Sequence, residues 1–219
     1  MAHDAGLGVR RRVGVPIHER RLTDSFLNQV PTVFRPGVGR SNFVLQEVEL
    51  GAGRPDLVIV TMSPTAFAAF RSSGLRLSSP AAARAVDLTT PLDKLGISRG
   101  YATALRKQLA SDGWFDVDPQ KVASIVTDSI AIEAKIADWR SAVRQVAKFR
   151  RHFHRSAILM PWRHMPPETA QPLAVYECGL IFQDGDSFNW DREARRVEPS
   201  VSSMLWLLEL AMRSVERGT

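Results

Sequence analysis

The sequence is short of cysteine and of long apolar runs, and each shortage excludes a class of protein. Cys178 is the single cysteine in 219 residues, so the chain makes no internal disulfide and no thiolate zinc site. Apolar runs such as Met204 to Leu208 are far too short to cross a bilayer. Arg10-Arg11-Arg12 has no apolar stretch behind it of the kind a secretory leader needs. A cytoplasmic protein without a membrane partner is the expectation. Acidic residues are outnumbered: 29 Lys and Arg against 23 Asp and Glu give a formal net charge of +6, with a pI near 10.1. That balance suits a polyanionic partner. Hydrophobic residues at 44% and charged residues at 24% are ordinary for a globular chain, and the length allows one large domain or two small ones.

What is present centres on Ser129-Ile130-Ala131-Ile132-Glu133-Ala134-Lys135-Ile136, which reads as a buried strand because nearly every position is apolar. Alternation puts Glu133 and Lys135 on one face, with Ile132, Ala134 and Ile136 on the other. A buried carboxylate and ammonium are costly unless paired, hydrogen-bonded or metal-bound. They are either a structural ion pair or part of a site. Upstream, the turn Gly51-Ala52-Gly53-Arg54-Pro55 delivers Asp56 at the first position of another apolar strand, Asp56 to Thr61. Phe43 to Leu50 precedes the turn as its hairpin partner, and carries Glu47 and Glu49 on one face.

Pro55-Asp56 followed by Glu133-Ala134-Lys135 resembles the signature of the PD-(D/E)XK nuclease superfamily. The resemblance continues through Asp138-Trp139-Arg140, Ala142 and Gln145 to the apolar strand Ala157-Ile158-Leu159-Met160. It implies an α/β fold of the restriction-endonuclease-like kind, a mixed central sheet flanked by helices. It also implies a site in which Asp56, Glu133 and the Ala134 carbonyl hold Mg²⁺ or Mn²⁺. Lys135 would orient or deprotonate a water or stabilise the reacting phosphate, and Gln145 would support the site from the following helix. Phe149 stands where tyrosine is commoner in that superfamily. Glu19, on a first helix spanning His18 to Val30, is either a further ligand, as sometimes in the superfamily, or a solvated first-turn acid. Glu47 and Glu49 carry the same two alternatives.

One departure needs explaining: Asp56 and Glu133 are 77 positions apart (133 − 56), far more than a hairpin connection uses. Between them the pattern is a helix opened by Ser79-Pro80, a glycine turn at Gly96 and a longer helix capped by Ser98. Tyr101, Ala104, Leu105 and Leu109 form that helix's apolar stripe. Two short strands, Trp114 to Val117 and Lys121 to Val126, follow. That order resembles a winged helix-turn-helix. The expected organisation is a nuclease-like core of residues 1–74 and 129–219, interrupted by a winged insertion of residues 75–128. Arg99, Arg106 and Lys107 on the insertion's longer helix would face nucleic acid.

Trp139 to Arg155 is a second basic element, with Arg140, Arg144, Lys148, Arg150, Arg151 and Arg155 and no acid between Asp138 and Glu168. Cations crowded on one helix repel each other, and backbone phosphates relieve the repulsion. Arg140, Arg144, Lys148 and Arg151 are therefore candidate DNA contacts. His152, His154 and His164 lack zinc-ligand spacing and are expected at phosphates or on the surface. Trp162, Arg163 and His164 sit in a proline-rich loop of residues 161–172, beyond a strand end. Asp184-Gly185-Asp186 reads as a turn, and Leu205, Leu208 and Met212 as the core face of the last helix. The expected function is a metal-dependent DNA endonuclease or nickase. Its rivals are a non-catalytic DNA-binding protein and an adaptor of a defence or repair complex. The expected partners are DNA and either a second copy of the chain or another protein.

Overall fold

Six strands form one mixed sheet in chain order, β1-β2-β3-β4-β5-β6. The computed structural model describes residues 19–50, 53–88, 90–161, 168 and 170–218; the tail of residues 1–15 and Trp162, Arg163 and His164 lie outside them. β1 (Ser41–Gln46) pairs antiparallel with β2 (Leu57–Met62), and β2 antiparallel with β3 (Val126–Ala134). β4 (Arg155–Pro161) and β5 (Gly179–Asp184) then join parallel, and β6 (Ser187–Arg192) closes the far edge antiparallel. β2, β3 and β4 are apolar on both faces, as central strands covered on both sides require.

Helices cover each face. α1 (Glu19–Leu27) and α2 (Val30–Val33) place Leu22, Phe26, Val30 and Phe34 over Leu57, Ile59, Ile130, Ile132 and Leu159. The other face is broader. α3 (Pro64–Ser72), α4 (Pro80–Val86), α5 (Arg99–Ser111), α6 (Pro119–Ala123), α7 (Trp139–Phe149) and α9 (Val201–Arg217) share one apolar core with Val58, Val60, Ala131 and Ile158. α8 (Ala170–Val175) precedes β5. Buried Glu209 ties α9 to this layer: it accepts from the Leu77 N–H at 3.0 Å and from Arg213 Nε at 2.7 Å, and pairs with Arg76 at 3.1 Å. No helix among the described residues is long and apolar enough to cross a membrane.

Several expectations are corrected. The wing is absent from the described residues: Trp114–Asp116 is a 3₁₀ turn and Pro119–Ala123 is helical, where two strands were expected. Asp118 caps α6 by accepting from the N–H groups of Gln120 and Lys121, and Pro119 at its first position has no N–H to lose. The stripe on α5 is Ala102, Leu105 and Leu109, with Tyr101 and Ala104 exposed. Helices α4 and α6 pack on α9. β1 ends at Gln46, short of the expected Leu50, and Leu50 and Gly53 form an isolated antiparallel bridge beyond it. α7 ends at Phe149, which puts Arg155 on β4. The hairpin β5–β6, turning through Gly185 at φ 61°, extends the sheet by one unexpected strand.

Candidate active site

Antiparallel register brings the two carboxylates together. Leu57 lies opposite Ile132, so one step further along both strands Asp56 lies opposite Glu133. Directly opposed residues of an antiparallel pair project to the same face, Cβ atoms about 5 Å apart. Asp56 Oδ2 accepts the Ala134 N–H at 2.8 Å, which anchors the Pro-Asp turn to the end of β3. Gly53 permits that turn: its φ is 138°, and a Cβ there would stand 3.0 Å from the ring of Phe149.

Glu133 is 2% exposed. Its Oε1 is 2.8 Å from Lys135 Nζ, while its Oε2 is buried with no hydrogen-bond partner among the described residues. Burial, with Asp56 adding negative charge, pushes the Glu133 carboxyl up to about 7 despite the lysine. Burial also raises Asp56, and the Ala134 N–H opposes that shift. For Lys135, burial acts to lower the ammonium's value. Glu133, Glu19 and Asp56 outweigh it, so the group ends above its ordinary range. Lys135 therefore remains a cation at neutral pH.

Glu19, which the sequence left open between a further ligand and a solvated first-turn acid, is part of this cluster: its Oε2 lies 3.4 Å from Lys135 Nζ. Glu47 lies farther out, ion-paired with Arg54, although its charge is felt at Asp56. Gln145 is half-buried on α7, which packs directly on β3, and its Oε1 is a second buried acceptor without a partner among the described residues. Two unsatisfied buried oxygens on neighbouring elements call for a donor, a water or a cation. Asp56, Glu133 and the Ala134 carbonyl are hard oxygen donors of the kind Mg²⁺ and Mn²⁺ accept, and Mg²⁺ commonly uses one or two carboxylates with the rest water or phosphate. No group of three or more His, Cys, Asp or Glu able to hold a metal occurs among the described residues.

Beyond Lys135 the chain turns into α7, where Asp138 accepts the Ser141 N–H as N-cap. The helix buries Trp139, Ala142, Val143, Val146 and Phe149. Arg140, Arg144 and Lys148 form an exposed row at four-residue spacing, continued by exposed Arg151. The Arg140 guanidinium stacks on Trp139 at 4.6 Å. Other cations of that stretch are ion-paired, Arg150 with Glu177 and Arg155 with Asp128, and Arg140 itself lies 4.0 Å from Glu168. On α5, Arg99 and Lys107 are exposed. Arg106 is corrected: its guanidinium donates to the carbonyls of Asp87 and Thr90, which makes it a structural clamp. His154 is corrected too, buried with Nδ1 2.9 Å from Ser129 Oγ.

No family model matches this chain, and no curated protein matches it. A solved structure described as "SPO1766 protein of unknown function from Silicibacter pomeroyi" aligns over 93% of this chain and 90% of that one, at 11% identity and a TM-score of 0.47.

Proposed function

We propose that this protein is a metal-dependent DNA phosphodiesterase, an endonuclease or nickase. The observation that carries the reading is the convergence of Asp56, Glu133 and Lys135 at the end of β3, with Glu133 Oε2 buried and unpartnered. Asp56, Glu133 and the Ala134 carbonyl would hold Mg²⁺ or Mn²⁺. A bound divalent cation supplies Lewis acidity, lowering the pKa of a water and offsetting charge on the scissile phosphate. Lys135, kept cationic by its carboxylate neighbours, places a fixed positive charge where negative charge grows on the phosphate oxygens. Gln145, on the helix packed against β3, has a buried Oε1 without a partner among the described residues and would support the site from there. The row Arg140, Arg144 and Lys148, with Arg151, would take backbone phosphates, and Arg99 and Lys107 on α5 would add to the grip.

The test is incubation of the purified chain with supercoiled plasmid in Mg²⁺, Mn²⁺ or EDTA. Nicked or linear product with either metal, absent with EDTA and absent in Glu133→Gln, supports the reading. Absence of product with both metals contradicts it. A second reading, a non-catalytic DNA-binding protein or adaptor, is favoured by the lack of a three-ligand group among the described residues. It predicts DNA binding through the α7 row with no metal-dependent product.

A further inference from the structure

A cavity of about 420 Å³ opens between α4, the turn after α7 and the N-terminus of α9. It shares no residue with the Asp56–Glu133–Lys135 cluster. Its polar lining is Arg84, His152, Ser200, Ser202, Ser203 and Trp206, the rest is apolar, and none of the described lining residues is acidic. Arg84 donates from Nη2 to the Leu95 carbonyl at 2.9 Å, which fixes the guanidinium. Among the described residues no carboxylate lies within salt-bridge distance of it.

The hydroxyls are ordered as a chain. His152 Nδ1 is 3.1 Å from Ser203 Oγ, which is 2.9 Å from Ser200 Oγ, itself 3.1 Å from Ser202 Oγ. Ser200 is the N-cap of a 17-residue helix, whose first N–H groups carry the positive end of its dipole. Trp206 is 8% exposed and lines the cavity, and its Nε1 donor is buried without a partner among the described residues. The Trp206 ring, with the Arg213 guanidinium 5.1 Å from its centroid, is part of the cavity wall. Burial and the charges of Arg84 and Arg151 hold His152 below its usual value, consistent with a positive local field.

We propose that this cavity binds a small molecule through a tetrahedral oxyanion, either inorganic phosphate or a phosphate monoester such as a mononucleotide. Arg84, the Ser202 and Ser203 hydroxyls and the start of α9 contact the oxyanion, and the apolar lining with Trp206 leaves room for an organic group. Cavities of this volume hold small organic ligands, and a guanidinium beside a helix N-terminus is a strong phosphate-binding combination. The proposal is independent of the nuclease reading.

The experiment follows the Trp206 indole ¹H–¹⁵N resonance, assigned by its loss in Trp206→Phe, in the full chain. Inorganic phosphate and adenosine monophosphate are titrated separately at an ionic strength held constant with chloride. A saturable shift with either, absent with chloride alone, is the expected result. Tighter binding of the mononucleotide identifies an organic phosphate; equal affinities identify phosphate itself. Arg84→Gln should weaken binding about tenfold or more, the usual consequence of losing one charge-assisted contact. Ser202→Asp puts an acid in the first turn of α9, which favours the helix, yet it should weaken binding similarly by repelling the anion. A shift that chloride reproduces, or unchanged binding in both variants, overturns the proposal. So does an equal response to an oligonucleotide without terminal phosphates, because the occupant would then be the DNA backbone.

Discussion

At the scale of single residues, the candidate site rests on charged side chains brought out of water, Glu133 at 2% exposure beside Lys135. Glu133 and Lys135 were legible because strand alternation puts them on one face, and Asp56 because a turn ends on it. Glu19 stayed open between the site and solvent, since nothing local in the sequence says that α1 brings it to Lys135. His154 was misplaced for a related reason. Its position in a basic stretch suggests solvent, whereas Ser129 Oγ waits 2.9 Å away inside the sheet. Burial, reinforced by Arg196, lowers its pKa below the ordinary 6.5. The folded state therefore stays neutral where the unfolded chain takes up a proton. Its contribution to stability is present above about pH 6.5 and is lost as pH falls, by up to about 1.4 kcal/mol per pH unit. Urea unfolding of wild type and His154→Gln at pH 7.5 and 5.5 checks this. The variant is expected to lose less stability than wild type over that interval; parallel losses would show that His154 does not titrate in this way.

At the scale of elements, the apolar runs of β2 and β3 and the amphipathic pattern of α7 were plain in the sequence, because a short apolar run marks a strand covered on both faces and a helical period marks the buried face of a helix. The wing was misread because Trp114-Phe115-Asp116-Val117 has strand-like composition, although Asp118-Pro119 carried the helix-start signal that the structure uses. Arg106 was misread because a helical position gives the direction of a side chain and not the carbonyls of Asp87 and Thr90 that meet it. Two predictions belong here. Arg144→Ala with Lys148→Ala removes two exposed cations from the α7 row. DNA affinity should fall alike for unrelated sequences, and the dependence of log affinity on log salt should flatten by about two units; an unchanged slope would remove α7 from the interface. Gly53→Ala should cost about 1–3 kcal/mol in chemical denaturation, because its φ of 138° suits glycine and the added methyl meets Phe149. A neutral result would mean that the turn before Asp56 is pliable.

At the scale of the whole molecule, the mixed sheet flanked by helices was an expectation carried by the resemblance of Pro55-Asp56 and Glu133-Ala134-Lys135, while the packing of α4, α5 and α6 was not legible. Sequence shows a helix-turn-helix pattern there but not what its apolar faces meet. In the structure, α4, α5 and α6 share a core with α9 and one face of the sheet. Trp114, fully buried, donates its indole N–H to the Arg76 carbonyl at 2.8 Å. Unfolding followed by tryptophan fluorescence and by far-ultraviolet circular dichroism should therefore give coincident single transitions; two separated transitions would indicate an independently folding insertion. The central claim concerns chemistry at the end of β3, and Lys135→Ala tests it most directly. Plasmid cleavage in Mg²⁺ and DNA affinity in EDTA are measured side by side for wild type and variant. Loss of cleavage by at least about a hundredfold, on the scale of one removed electrostatic contact, with affinity within about threefold of wild type is the predicted result. Metal-dependent cleavage that survives in Lys135→Ala, or that wild type never shows, would contradict it.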